Sequence, residues 1–136
     1  MRCLVADASA TTRALVSNVL RRAGAAEIVS HRSLAEALSA CETPFDVAIV
    51  DRDLAAGPGW DWLDALRARA CRPCCLLVIG SRVSLDEAGA LRAIGAAGFL
   101  LKPLNPELLG ERVRKMLAGA GGAAPPDDVD ELPQAA

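Results

Sequence analysis

At 136 residues the chain is long enough for one domain with its own core and too short for two comfortable ones. Its net charge of −2 comes from 15 Lys and Arg scattered among 17 Asp and Glu, so no basic stripe is offered to nucleic acid or to an anionic membrane, and a protein or small-anion partner fits better. An acid already at Asp7 leaves no room for the apolar core of a leader, and no apolar run approaches the roughly 18 residues of a membrane span, which predicts a cytoplasmic protein.

Cys3-Leu4-Val5-Ala6 reads as a first strand that closes on Asp7. Ser9 or Thr11 can cap the helix that follows to about Arg22, because a short hydroxyl satisfies a first-turn N–H that has no partner inside the helix. Leu15 with Val19, and Val16 with Leu20, form its apolar face, and Gly24 stands where it should stop. Glu27 to Ser30 is a short second strand, and His31 is a residue at its end. Ser33 and Glu36 have capping-box spacing and open a second helix, with Leu34, Ala37, Leu38 and Cys41 as the buried stripe.

Val47 to Val50 is a continuous apolar run, as expected of a strand buried on both faces, and it stops at Asp51. Such an acid either starts a turn or faces the crevice that opens where loops leave the carboxyl ends of a parallel sheet. A loop over Ala55 to Gly59 leads to a third helix from Trp60 to Arg69, with Leu63 and Leu66 inward. Cys71-Arg72-Pro73-Cys74-Cys75 has the spacing of half a zinc or redox site, but the chain has a single His, His31, and no second Cys-x-x-Cys. With Cys3 and Cys41, these cysteines are read as small apolar fillers.

Leu76 to Ile79 is the fourth strand. Ser84 and Glu87 form another capping box, opening a helix with Ala88, Leu91 and Ile94 that Gly95 and Gly98 break. Phe99-Leu100-Leu101 is the fifth strand and ends at Lys102-Pro103. Asn105 caps and Pro106 opens the last helix, where Leu109, Val113, Met116 and Leu117 recur at helical spacing to about Ala118. The folded domain is therefore set at 1–118. Residues 119–136 are rich in Gly, Ala, Pro and acids and offer too little to bury, so they are expected to be a disordered tail, an acidic docking segment being the other reading.

Five strands alternating with five helices imply an α/β fold of three layers, a (βα)5 arrangement with one parallel sheet covered on both faces. In the flavodoxin-like order 2-1-3-4-5 the first and third strands are neighbours, which brings Asp7 and Asp51 together and lets Lys102 reach in from the side.

That constellation resembles the receiver domain of two-component response regulators, over about residues 2–117. The resemblance rests on Asp7 with Ser9 and Arg13, on Asp51 with Gly59 eight positions on, and on Gly95, Gly98, Phe99, Lys102 and Pro103. It implies that Asp51 accepts a phosphoryl group from a histidine kinase, a phosphotransfer protein or a small phosphodonor. It also implies Mg²⁺ held by the carboxylates of Asp7 and Asp51 and the main-chain carbonyl of Asp53, with Lys102 pairing first with Asp51 and then with the phosphoryl group. Transfer to a carboxylate gathers negative charge, which is why cations must surround it. The implied protein is a phosphoacceptor rather than an enzyme, autodephosphorylation aside. It would stand alone, signal to a downstream protein by contact, and be compatible with a homodimer.

Several positions depart from the family pattern. Ala8 replaces the second of two adjacent acids, the one that usually touches the metal most directly, so the cation site should be weak. Counting back from Lys102, Gly80 falls where a Ser or Thr would read the phosphoryl group, and Ser81 takes that role only if the following loop is one residue shorter. Leu54-Ala55 replaces a common Met-Pro, and Phe99 replaces a switch Tyr. A phosphorylation-independent pseudo-receiver that binds partners through its fourth and last helices is the alternative.

Two enzyme resemblances are weaker. Asp51-Arg52-Asp53 is similar to the acid pair of haloacid-dehalogenase phosphatases, but that motif lies on a first strand, and Ala55 stands where Thr or Val belongs. Ser9 to Thr12 is similar to a flavodoxin phosphate loop with Trp60 or Trp62 as stacker, but it lacks the Gly and would set Asp7 against a phosphate.

Overall fold

The apolar runs become a five-stranded parallel sheet in the order β2-β1-β3-β4-β5, formed by β1 Arg2–Ala6, β2 Glu27–His31, β3 Val47–Asp51, β4 Leu76–Gly80 and β5 Gly98–Leu101. The computed structural model describes residues 1–39, 44–54, 75–93 and 95–119. The expected helix over 60–69, the loop before it, Cys41, Cys71, Cys74 and residues 120–136 lie outside the described residues.

Alternation along the strands builds two cores at once. Leu4, Ala6, Ala48, Val50, Leu76, Val78 and Phe99 face one side, where Ala37 of α2 (Leu34–Ser39) and Ala88 and Leu91 of α3 (Leu85–Ala93) cover them. Cys3, Val5, Val47, Ile49, Leu77 and Ile79 face the other, under Val16 and Leu20 of α1 (Ala10–Arg22) and Leu109, Val113 and Met116 of α4 (Pro106–Gly119). This two-sided burial is why the central strands read as unbroken apolar runs. Each large side chain so enclosed contributes about 1.5–3 kcal/mol.

The caps follow the sequence closely. Between the two candidates for α1 it is Ser9 that caps, its hydroxyl accepting the Thr12 N–H at 3.2 Å. Asn105 accepts the N–H groups of Glu107 and Leu108 at 2.9 and 3.3 Å. The last helix runs one residue past the expected Ala118, to Gly119.

Cys3 and Cys75 are buried in the core. Burial, aided by the nearby Asp46 carboxylate, pushes the Cys3 thiol up to about 11, so it packs as an apolar group. One buried charge was not expected from the helical pattern: Arg112 of α4 is 3% exposed and donates to the Ala97 carbonyl at 2.7 Å.

Candidate functional site

Strand pairing fixes the site. β1 and β3 are in parallel register with Ala6 opposite Val50, so the next residues, Asp7 and Asp51, emerge side by side at the carboxyl edge. β3 runs one residue further than its apolar run, so Asp51 is itself the last strand residue, paired with Ile79. β5 brings Lys102 to the same edge, where its N–H donates to the Gly80 carbonyl at 2.8 Å. The Lys102–Pro103 peptide that follows is cis.

The three side chains meet. The Lys102 ammonium lies 2.9 Å from Asp51 Oδ2 and 2.8 Å from Asp7 Oδ2. Both contacts are charge-assisted and within hydrogen-bond distance, the one to Asp51 being the better aligned. Each acid spends its other oxygen on its own loop: Asp7 Oδ1 accepts the Ser9 N–H and Asp51 Oδ1 the Asp53 N–H, both at 2.8 Å. These two-residue links are the Asx turns that acids form at strand ends, and they hold both carboxylates inward. Asp7 is 1% and Asp51 4% exposed.

Burial of the Lys102 ammonium disfavours its charged form, but contact with Asp7 and Asp51 more than reverses this and holds its pKa above the ordinary 10.5. It therefore stays charged at neutral pH.

Around this centre the remaining sequence-derived residues are placed as follows. Asp53 follows in a 3₁₀ turn (Arg52–Leu54) with its side chain exposed, so only its backbone faces Asp51. Ala8 is exposed at the rim, and the Arg13 guanidinium donates to the carbonyls of Asp7 and Ala8 at 2.7 and 3.2 Å. Ser81 is exposed and makes no hydrogen bond to Asp7, Asp51 or Lys102. Gly80 ends β4, and a side chain placed there would meet Phe99 Cζ at 3.0 Å and Arg52 Cβ at 3.4 Å. Phe99 is fully buried.

One pair escaped the sequence reading. The Arg52 Nε makes a close ion pair with Glu87 Oε2, joining the residue after Asp51 to the first turn of α3. Arg52 and Glu87 are 35 positions apart, and no spacing rule connects them.

Among the described residues no group of three or more metal-ligating side chains exists. The donor set does fit a cation that keeps several waters: two adjacent buried carboxylates and a backbone turn.

A parallel sheet in this order, with two acids and a lysine converging at its carboxyl edge, defines a receiver-type phosphoacceptor fold. The chain belongs to the response regulator receiver domain family, whose model matches residues 3–114. Among solved structures it is similar to the chemotaxis response regulator CheY4 of Vibrio cholerae, at 30% identity and a TM-score of 0.70 over 85% of this chain and 98% of that one. The beryllofluoride-activated receiver domain dimer of NtrC4 is similar at 25% identity and a TM-score of 0.72, over 88% of this chain and 98% of that one. A CheY-like receiver from Methanospirillum hungatei JF-1, at 23% identity and a TM-score of 0.73 over 88% of this chain and 95% of that one, shares the fold. No curated protein matches the chain. Among the described residues no helix is long and apolar enough to cross a membrane.

Proposed function

We propose that Asp51 accepts one phosphoryl group from a phosphohistidine on a histidine kinase or phosphotransfer protein, and that the phosphorylated domain signals by protein contact. The observation that carries this reading is the Lys102 ammonium bridging two buried carboxylates at a strand-end crevice. In the transfer, an Asp51 oxygen forms a bond to phosphorus while the P–N bond of the phosphohistidine breaks and its electron pair returns to the imidazole. Lys102, already fixed between the acids, meets the charge that gathers on the phosphoryl oxygens. The carboxylates of Asp7 and Asp51 and the carbonyl of Asp53 would hold Mg²⁺, which supplies further neutralising charge when bound.

The same reading keeps the domain at 1–118 with a solvated acidic tail, in the cytoplasm, and gives Ser81 a place only if phosphorylation draws its loop inward. Leu85 of α3, Leu101 of β5 and Leu108 of α4 are the large exposed apolar groups among the described residues and suit a downstream protein or a second copy. The similar NtrC4 receiver is described as a dimer.

Incubation with acetyl phosphate and Mg²⁺ is expected to add one phosphoryl group to the intact mass, and Asp51→Asn to abolish it. Failure to gain mass at high Mg²⁺ would favour the second reading, a phosphorylation-independent pseudo-receiver, to which Ala8 and Gly80 lend support. Ala8→Asp, which restores a third carboxylate at the rim, is expected to tighten Mg²⁺ binding at least about tenfold by titration. An unchanged affinity would remove the Asp7 edge from the cation site.

A further inference from the structure

We infer that Arg52 is the residue that reads phosphorylation in this chain, its guanidinium leaving Glu87 for the phosphoryl oxygens on Asp51 and so releasing the first turn of α3. This rests on Asp51 being the phosphoacceptor.

The position follows from register. Asp51 pairs with Ile79, so Arg52 follows beside Gly80, the position at which the receiver resemblance expects a phosphoryl-reading hydroxyl. That place is taken: Arg52 Cβ and Phe99 Cζ come within 3.4 and 3.0 Å of where a side chain at 80 would begin. Ser81 is turned to solvent. The polar group nearest in sequence to the acceptor is therefore a cation with five N–H donors in a rigid fork, a geometry that matches phosphate oxygens two at a time.

Glu87 holds this fork in the structure. Arg52 uses Nε toward Glu87, and among the described residues Glu87 is its ion-pair partner. A phosphoryl group on the adjacent residue carries roughly −1.5 to −2 charge and three acceptor oxygens, against the single charge of a carboxylate, so it competes effectively for the guanidinium.

The consequence reaches α3 because Glu87 has two attachments. Its N–H donates to Ser84 Oγ at 3.1 Å, and the Ser84 hydroxyl in turn donates to Glu87 Oε1 at 3.3 Å. Loss of Arg52 leaves the Glu87 carboxylate, among the described residues, with the Ser84 hydroxyl, and the turn that also presents the exposed Leu85 loosens. The step requires no side chain at position 80.

The test uses the full chain with acetyl phosphate and Mg²⁺, following adduct mass and, in parallel, hydrogen exchange of the amides at 85–88. In the wild type, phosphorylation is expected to raise their exchange severalfold. Arg52→Ala should show the raised exchange before phosphorylation, gain nothing from it, and lose its adduct severalfold faster. Arg52→Lys keeps the stem but lacks the fork, and should behave likewise if the alanine variant does not fold. Glu87→Gln, which loosens the competing grip, should prolong the adduct. An Asp51 adduct on the wild type that leaves exchange at 85–88 unchanged overturns the inference, as does an Arg52→Ala adduct with wild-type lifetime and response. Absence of any wild-type adduct overturns the phosphoacceptor reading itself and this inference with it, and is told apart by the mass alone.

Discussion

Replacing Lys102 with alanine is expected to cost about 2–4 kcal/mol of stability at neutral pH and to suppress the phosphoryl adduct on Asp51. Removing one partner of a buried ion pair typically costs about 3–5 kcal/mol, because the charge left behind has lost both water and its counter-ion. Here two carboxylates, 1% and 4% exposed, would be left facing each other. The lower figure reflects the ammonium itself, whose side chain is 22% exposed and so partly solvated already. Asp51→Asn in the Lys102→Ala background should recover part of the loss, since it removes one of the stranded charges, and chemical denaturation of the four species measures that coupling. Additive losses would mean that the three side chains do not act together. The pH dependence has a definite sign. A lysine whose folded pKa lies above its unfolded 10.5 binds its proton more tightly in the folded state, so its stabilisation is complete below 10.5 and disappears as pH rises through the raised value. Wild-type stability should therefore decline on that alkaline limb more steeply than that of Lys102→Ala.

Gly98→Ala is the second substitution with a large expected effect, about 3 kcal/mol destabilising. Gly98 opens β5 at φ +141°, a conformation that side-chain-bearing residues rarely adopt, and such strain costs about 1–3 kcal/mol. A Cβ there would also stand 2.7 Å from Arg112 Nη1. The guanidinium has little freedom to retreat, being 3% exposed and bonded to the Ala97 carbonyl at 2.7 Å. Displacing it weakens a buried charge-assisted hydrogen bond, which is worth about 1.5–3 kcal/mol. Gly95→Ala is the control: φ is +78° but none of the described residues lies within 4 Å of the added atom, so only the backbone cost, about 1 kcal/mol, applies. Equal thermal-unfolding losses at the two glycines would show that the Arg112 contact contributes nothing.

Much of the site was legible because each of its residues closes a strand. Asp7, Asp51 and Lys102 follow short apolar runs, and the parallel order that alternating strands and helices demand brings those ends to one edge. The caps were equally readable, since Ser9, Ser33, Ser84 and Asn105 act within a single turn. What could not be read depends on distance along the chain. Arg52 carries no signal of its own and Glu87 reads only as half of a cap, because nothing in local periodicity records a contact across 35 positions. Arg112 lay in a helix whose apolar stripe said nothing about a buried cation; arginine is so seldom enclosed that its type argues for the surface. The choice between Gly80 and Ser81 turned on a loop length that spacing alone leaves open. Strand register answers the geometric half of it, ending β4 on Gly80 and leaving Ser81 in solvent.

The aromatic ring tucked against the bare backbone at the end of β4 constrains how the sequence can drift. Introducing a hydroxyl-bearing side chain at Gly80 alone forces the Phe99 ring back by several tenths of an ångström, into a core already filled. Trimming Phe99 alone opens a void beside the sheet. The two positions are thus epistatic: a lineage leaving the present pairing for a hydroxyl with a smaller partner crosses a less stable intermediate whichever change comes first.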